Sequence, residues 1–131
     1  MRVVFDTNIF VSAFVFPGGS ADAALHRVVN RRDRLILSHA IIDECLGVMA
    51  RKFGRDVNEL ARIAVFLGDV GVMVQPPRRI RALTDEPDNR ILECAIAGRA
   101  DAIVTGDGAM LRLGAFRRVR ILTLRQFLES P

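Results

Sequence analysis

The chain has no tryptophan and no tyrosine, only two histidines and two cysteines, and Lys52 is its single lysine. Cys45 and Cys94 form no CxxC pair and have no histidine at ligand spacing. Both fall on apolar positions of predicted helices, so buried free thiols are expected, not a zinc site or a disulfide. His26 sits among arginines in a predicted helix and His39 begins another, which argues for structural or surface roles. No Ser/His or Cys/His pairing suggests a covalent nucleophile. No apolar stretch reaches the ~20 residues of a membrane-spanning helix. The N-terminus lacks the basic region, long apolar core and small-residue cleavage site of a signal peptide, so a cytoplasmic location is expected.

What is present suits a folded domain. A chain of 131 residues, half of them apolar and about a quarter charged, is long enough to bury about two-thirds of its unfolded surface in one domain. The net charge is +4, from 19 basic and 15 acidic residues. The basic residues cluster at Arg27, Arg31, Arg32 and Arg34, at Arg51, Lys52 and Arg55, at Arg78, Arg79 and Arg81, and at Arg117, Arg118 and Arg120. Such runs are usually solvated faces, but they also suit a polyanionic partner.

Arg2–Phe5, Arg34–Leu37 and Ala102–Thr105 are short, apolar on both faces and rich in β-branched residues, as buried parallel strands are. Val70–Val74 and Val119–Leu122 read as further strands. Between them, Ser20 is expected to cap a helix to about Asn30, and Ser38 one to about Lys52. Asp56 or Asn58 begins a third running to about Leu67, and Asp88 caps a fourth that ends before Gly98. Alternating strands and helices predict an α/β fold with a largely parallel sheet. Pro17-Gly18-Gly19 and Pro76-Pro77 mark loops too short to be domain linkers.

Against this frame the carboxylates fall in a pattern. Asp6 interrupts an apolar run directly after the first strand, where an unpaired buried charge would cost several kcal/mol. Asp107 follows the strand "AIVT" by two residues, so two strands deliver an aspartate to the carboxyl edge of the sheet, where sites form in open parallel sheets. On the helix from Ser38, the stripe Ile41, Ile42, Cys45, Val48 and Met49 leaves Asp43 on the far side and Glu44 at its border. Glu44 is therefore the carboxylate expected to turn inward. Asp88 reads alone as an N-cap. Asp85 and Glu86 read as loop residues within reach of a neighbouring site. Four carboxylates, Asp6, Glu44, Asp88 and Asp107, are thus placed to converge, and close like charges need either protonation or a divalent cation. All-oxygen donors favour Mg²⁺ or Mn²⁺.

These stretches resemble the PIN-domain nucleases, and within them the VapC-like toxins of prokaryotic toxin–antitoxin pairs. The resemblance rests on "VVFDTNIFVSA", "LSHAIIDEC" and "DEPDNRILECAIAGRADAIVTGDGAML", in that order, and spans nearly the whole chain. It implies a three-layer PIN-like α/β fold, with a mostly parallel five-stranded sheet flanked by helices. It places the family's acidic quartet on Asp6, Glu44, Asp88 and Asp107. Asp6, Asp88 and Asp107 are then metal ligands, and Glu44 binds metal directly or through water. Thr7, Asn8 and Thr105, with Asn89, would support metal and water from behind. At Asp85-Glu86-Pro87 the chain differs from members that carry a further aspartate before the Asp-Asn pair, which leaves the role of Asp85 open.

The activity so implied is Mg²⁺- or Mn²⁺-dependent endoribonucleolytic cleavage, with RNA as substrate, a cognate antitoxin as partner and a homodimer as the assembly. Eight phenylalanines, mostly on apolar stretches, give no evident base-stacking platform. Recognition is therefore expected to rest on arginine–phosphate contacts and RNA shape. A catalytically weak RNA-binding or scaffold protein of this fold is the non-enzyme alternative. A metal-dependent phosphatase of the haloacid-dehalogenase type would want an aspartate where Asn8 stands. A receiver domain would want a strand-end lysine, whereas Lys52 is on a helix.

Overall fold

Three runs of consecutive apolar residues, each fully buried, form the middle of the molecule: Val3, Val4 and Phe5; Leu35, Ile36 and Leu37; Ala102, Ile103 and Val104. Side chains alternate between the two faces of a strand, so burial of three in succession means that both faces are covered. The computed structural model describes residues 1–131. In it these runs are β1 (Arg2–Phe5), β2 (Arg34–Leu37) and β4 (Ala102–Val104), joined by β3 (Val72–Met73), β5 (Ala115–Phe116) and β6 (Val119–Leu122). The helices are α1 (Thr7–Val15), α2 (Ser20–Val29), α3 (His39–Phe53), α4 (Val57–Val70), α5 (Glu86–Ala97), α6 (Gly108–Leu113) and α7 (Leu124–Glu129).

The sheet order is β3-β2-β1-β4-β6-β5. All pairings are parallel except β5 with β6. The expected three-layer α/β arrangement is present, but with six strands where five were expected. The additional one is the two-residue β5, which pairs only with β6 across a two-residue turn. From β1 the chain steps outward through β2 and β3, then returns to the other side of β1 with β4. That reversal opens a crevice at the carboxyl ends of β1 and β4. α5 packs across β1, β2 and β4 and so lies beside the crevice.

Local chemistry accounts for most helix starts and corrects others. Ser38 caps α3 by accepting the Ile41 N–H at 3.3 Å, and Asp56, not Asn58, caps α4 through the Glu59 N–H at 2.9 Å. Ser20 is the first residue of α2, with Gly19 at its cap position. The expected strand Val70–Val74 shrinks to Val72–Met73, because α4 continues through Val70 and stops at Gly71. The expected cap at Asp88 is also corrected. α5 begins three residues earlier than such a cap would place it, with Asp85 at the cap position and Pro87 in the first turn. Proline fits there because first-turn amides have no helical acceptor and its φ is already helical. Asp88 and Glu86 are therefore both helical residues.

Phe5, Phe10 and Phe127 belong to the core, Phe14, Phe66 and Phe116 pack partly against it, and Phe16 and Phe53 are exposed. Phe5 packs against Phe10 and Phe127 with ring centroids 5.6 Å apart in each case. Cys45 and Cys94 are buried free thiols, and desolvation pushes each up to about 12, leaving them inert. Gly98 marks a close approach of α5 to β2, where an added Cβ would collide with the Ile36 side chain. Gly98→Ala is expected to destabilise the protein by about 1–3 kcal/mol through overpacking. Urea denaturation measures this, and an unchanged midpoint would mean that α5 slides freely over β2.

Candidate active site

The sheet itself fixes the position of Asp6. Its backbone N–H donates to Val104 O at 2.9 Å, extending the β1–β4 ladder one residue past the strand. The Thr105 hydroxyl donates to Asp6 Oδ2 at 2.6 Å and accepts the Asp107 N–H at 3.0 Å. Asp107 Oδ2 then caps α6 by accepting the Met110 N–H at 2.8 Å. One buried hydroxyl thus ties together the ends of β1 and β4, with a carboxylate on each side.

Asp88 enters from the first turn of α5 and comes near enough to Asp107, Asp85 and Asp6 for their charges to act on it. Burial pushes Asp88 up to about 7, with the charges of Asp107, Asp85 and Asp6 adding to the effect. Asp6 is also raised, first by burial and then by Asp107, while the Thr105 hydrogen bond and the amides of Asn8 and Thr7 oppose the rise. The charge of Asp107 thus reaches carboxylates on two other elements, Asp6 and Asp88, and no basic side chain is among the influences that offset it.

Glu44 stands slightly apart. It is half-buried and Asp43 is exposed, the inward and outward placement expected from helical spacing. Both line a cleft of about 420 Å³ together with Thr7, Glu86, Arg78 and Arg90. Asp6, Asp88 and Asp107 do not line it. Nor do any three His, Cys, Asp or Glu side chains stand close enough to hold one ion together. The donor set fits Mg²⁺ or Mn²⁺ in chemistry and charge, but ligation would require the carboxylates to draw inward.

The polar companions divide. Thr105 is buried and touches both aspartates, and Thr7 lines the cleft beside Glu44. The side chain of Asn8 is exposed, and only its backbone bears on Asp6. Asn89 is fully buried and holds a loop: its Oδ1 accepts the Leu83 N–H at 2.9 Å and its Nδ2 donates to Leu83 O at 2.8 Å.

Glu93, which no sequence motif singled out, is buried and holds the neighbouring loop. Its Oε2 accepts the N–H groups of Arg79 at 2.7 Å and Ile80 at 2.9 Å, while Oε1 pairs with Arg90 at 2.7 Å. The spacing Glu86, Arg90, Glu93 carries the signal, since these positions share one helix face. The clamp sets Arg78 over the cleft, exposed and without a hydrogen bond or ion pair of its own.

Comparison with known proteins places this geometry. An uncharacterised protein, MJ1680, of Methanocaldococcus jannaschii is 29% identical over 117 residues, covering 86% of this chain and 75% of the relative. Among solved structures, the chain is similar to VapBC2 from Rickettsia felis, bound to a DNA fragment from their promoter, with a TM-score of 0.65 at 17% identity. The similarity covers 94% of this chain and 98% of that one. VapBC-1 from nontypeable Haemophilus influenzae gives a TM-score of 0.63 at 16% identity, over 95% and 99% of the two chains. FitAcB from Neisseria gonorrhoeae gives 0.56 at 13%, over 94% and 98%. At these identities the structures establish a shared fold. The family itself follows from sequence: the model of the PIN domain matches residues 2–109, a span that holds all four carboxylates, and the chain belongs to the PIN-domain family.

Proposed function

We propose that this chain is a divalent-metal-dependent endoribonuclease and the toxin of a toxin–antitoxin pair. The observation that carries the reading is the convergence of Asp6, Asp88 and Asp107 at the reversal point of the sheet, where Asp107 raises the proton affinity of both Asp6 and Asp88. Folding alone gains nothing from this arrangement, because buried like charges without a counter-ion are costly. Membership of a nuclease-type family supports the reading. The VapBC complexes that share the fold support an antitoxin partner. A homodimer and a cytoplasmic setting belong to the same proposal.

In this reading Asp6, Asp88 and Asp107 hold the metal, with Glu44 contributing directly or through water from the adjoining cleft. Hydrogen bonds already engage Oδ2 of both Asp6 and Asp107, which fixes each carboxylate where it would help to hold the ion. When bound, a divalent cation lowers the pKa of water and offsets charge developing on the phosphoryl oxygens. Thr105 keeps the two strand-end aspartates in register. Arg78, free of any carboxylate partner, contacts a substrate phosphate beside Glu44 and fixes position without reading sequence.

Purified protein is expected to cut RNA in Mg²⁺ or Mn²⁺ and to stop in EDTA. An equal rate in EDTA would overturn the metal-dependent reading. The present spacing of the carboxylates favours one second reading, a protein of this fold that binds RNA without turnover. RNA binding with no cleavage under any divalent cation would select it.

A further inference from the structure

Only three non-glycine residues have a left-handed backbone, and all three are arginines: Arg31 (φ 60°), Arg99 (φ 52°) and Arg117 (φ 55°). In this region the side chain of an L-residue crowds its own backbone, so glycine or asparagine is the usual occupant. The local motifs make the choice more pointed. After α2, the Arg31 N–H reaches Val28 O and the Arg32 N–H reaches Arg27 O. After α5, the Arg99 N–H reaches Ile96 O and the Ala100 N–H reaches Ala95 O. Both are Schellman endings, and each has arginine at the position that glycine commonly fills. Arg117 is the first residue of the two-residue turn between β5 and β6, another glycine position when φ is positive.

All three strained arginines lie on one edge of the sheet. Arg31 precedes β2, Arg99 precedes β4, and Arg117 precedes β6. These strands are parallel, so their amino ends form the edge opposite Asp6 and Asp107. The strands have three or four residues, which separates the two edges by about 10–13 Å. Arg34 and Arg118 stand on the same edge. The side chains of Arg31, Arg34, Arg99 and Arg118 are exposed and make no hydrogen bond or ion pair, and Arg117 only covers the Phe116 ring. Arg99, Arg117 and Arg118 line a cleft of about 580 Å³ that also contains Asp101, whose carboxylate accepts the Arg2 backbone N–H at 2.8 Å.

We infer that this amino edge is a second RNA-binding surface, which takes the phosphodiester backbone of RNA on the side of the sheet away from the carboxylates. Unpaired guanidiniums along an edge are suited to phosphates. The backbone strain at three separate turns is accounted for when the side chains, not the turns, are what the positions serve. The inference does not depend on nuclease activity, because it concerns binding at the other edge.

The same strain supplies the test. In Arg31→Gly, Arg99→Gly, Arg117→Gly, each charge is replaced by the residue its backbone favours, so the triple variant is expected to melt no lower than the parent. Anisotropy in EDTA with labelled single-stranded RNA and with duplex DNA then measures binding without cleavage. Affinity should fall roughly tenfold or more, and the slope of log K against log salt for RNA should become shallower by about 2, at about 0.7 per phosphate contact. A loss on RNA is the expected result; a loss on duplex DNA with RNA binding unchanged would overturn the assignment to RNA. Unchanged affinity and slope for both would overturn the inference. If the triple variant melts lower, Arg34→Gln with Arg118→Gln, at exposed positions without backbone strain, is measured in the same way and must show the same loss in kind.

Discussion

Asp6→Asn is expected to lower RNA cleavage at least about a hundredfold while leaving the protein folded and, without metal, at least as stable as the parent. The first half follows from the proposed role, since an amide is a poor ligand for a hard divalent cation and even residues behind a ligand matter 10–100-fold. The second half follows from the structure. Burial and Asp107 both disfavour ionised Asp6, so a neutral isostere removes an electrostatic cost. The side-chain carbonyl of the introduced asparagine can still accept the Thr105 hydroxyl proton that now reaches Asp6 Oδ2 at 2.6 Å. Cleavage assays beside thermal melts in EDTA check the pair. Loss of activity together with loss of fold would mean that Asp6 is a structural residue, and full activity in a folded variant would remove it from the chemistry.

The metal-free protein is expected to lose stability as the pH rises from 5 to 8, the reverse of what a salt-bridged aspartate produces. In the folded chain Asp88 keeps its proton up to about pH 7, whereas an ordinary aspartate releases it near 3.8. Between those values the folded state binds one proton more than the unfolded state, so unfolding becomes easier with increasing pH. At about 1.4 kcal/mol per pH unit, Asp88 accounts for a loss on the order of 3 kcal/mol between pH 5 and about 7. Asp6, also raised, acts in the same direction. Asp33 acts oppositely: burial would raise it, but hydrogen bonds from the N-terminal amine and Arg27 outweigh burial and hold it below the usual value. Its contribution is lost only in acid below about pH 4, outside this window. Urea melts in EDTA at pH 5, 6.5 and 8 give the slope. Mg²⁺ or Mn²⁺ should restore stability at pH 8 and do little at pH 5, because protons already occupy the site. Stability that rises between pH 5 and 8 in EDTA would show that the three carboxylates are not coupled.

Much of this architecture was legible in local chemistry. Continuous apolar runs marked β1 and β2 to the residue, and Ser38 and Asp56 marked the starts of their helices, because a side-chain oxygen three residues before an unsatisfied amide is a local signal. Boundaries that depended on competition were less legible. Val70 has a strand's composition, yet it ends α4, whose apolar face is anchored on Leu67. Asp88 resembles a cap, but Pro87 is best accommodated inside the first turn, which moves the helix start back to Glu86. β5 escaped notice because two residues carry no periodicity.

The order of acidic motifs along the chain is enough to assign the family, whose model spans all four carboxylates. Helical spacing is likewise enough to bury Glu44 more than Asp43, although both line the same cleft. Distance was not in the sequence. It took the folded chain to link Asp6, Thr105 and Asp107 by hydrogen bonds, to bring Asp88 to them, and to leave Glu44 lining a neighbouring cleft. Those facts depend on β4 returning beside β1 and on α5 lying across both, contacts between residues about a hundred positions apart. The same holds for the loop held by Asn89 and Glu93, and for the arginines, scattered along the chain, that gather on the opposite edge. A parallel sheet makes this division inevitable: every strand end is local, but which ends meet is set by strand order.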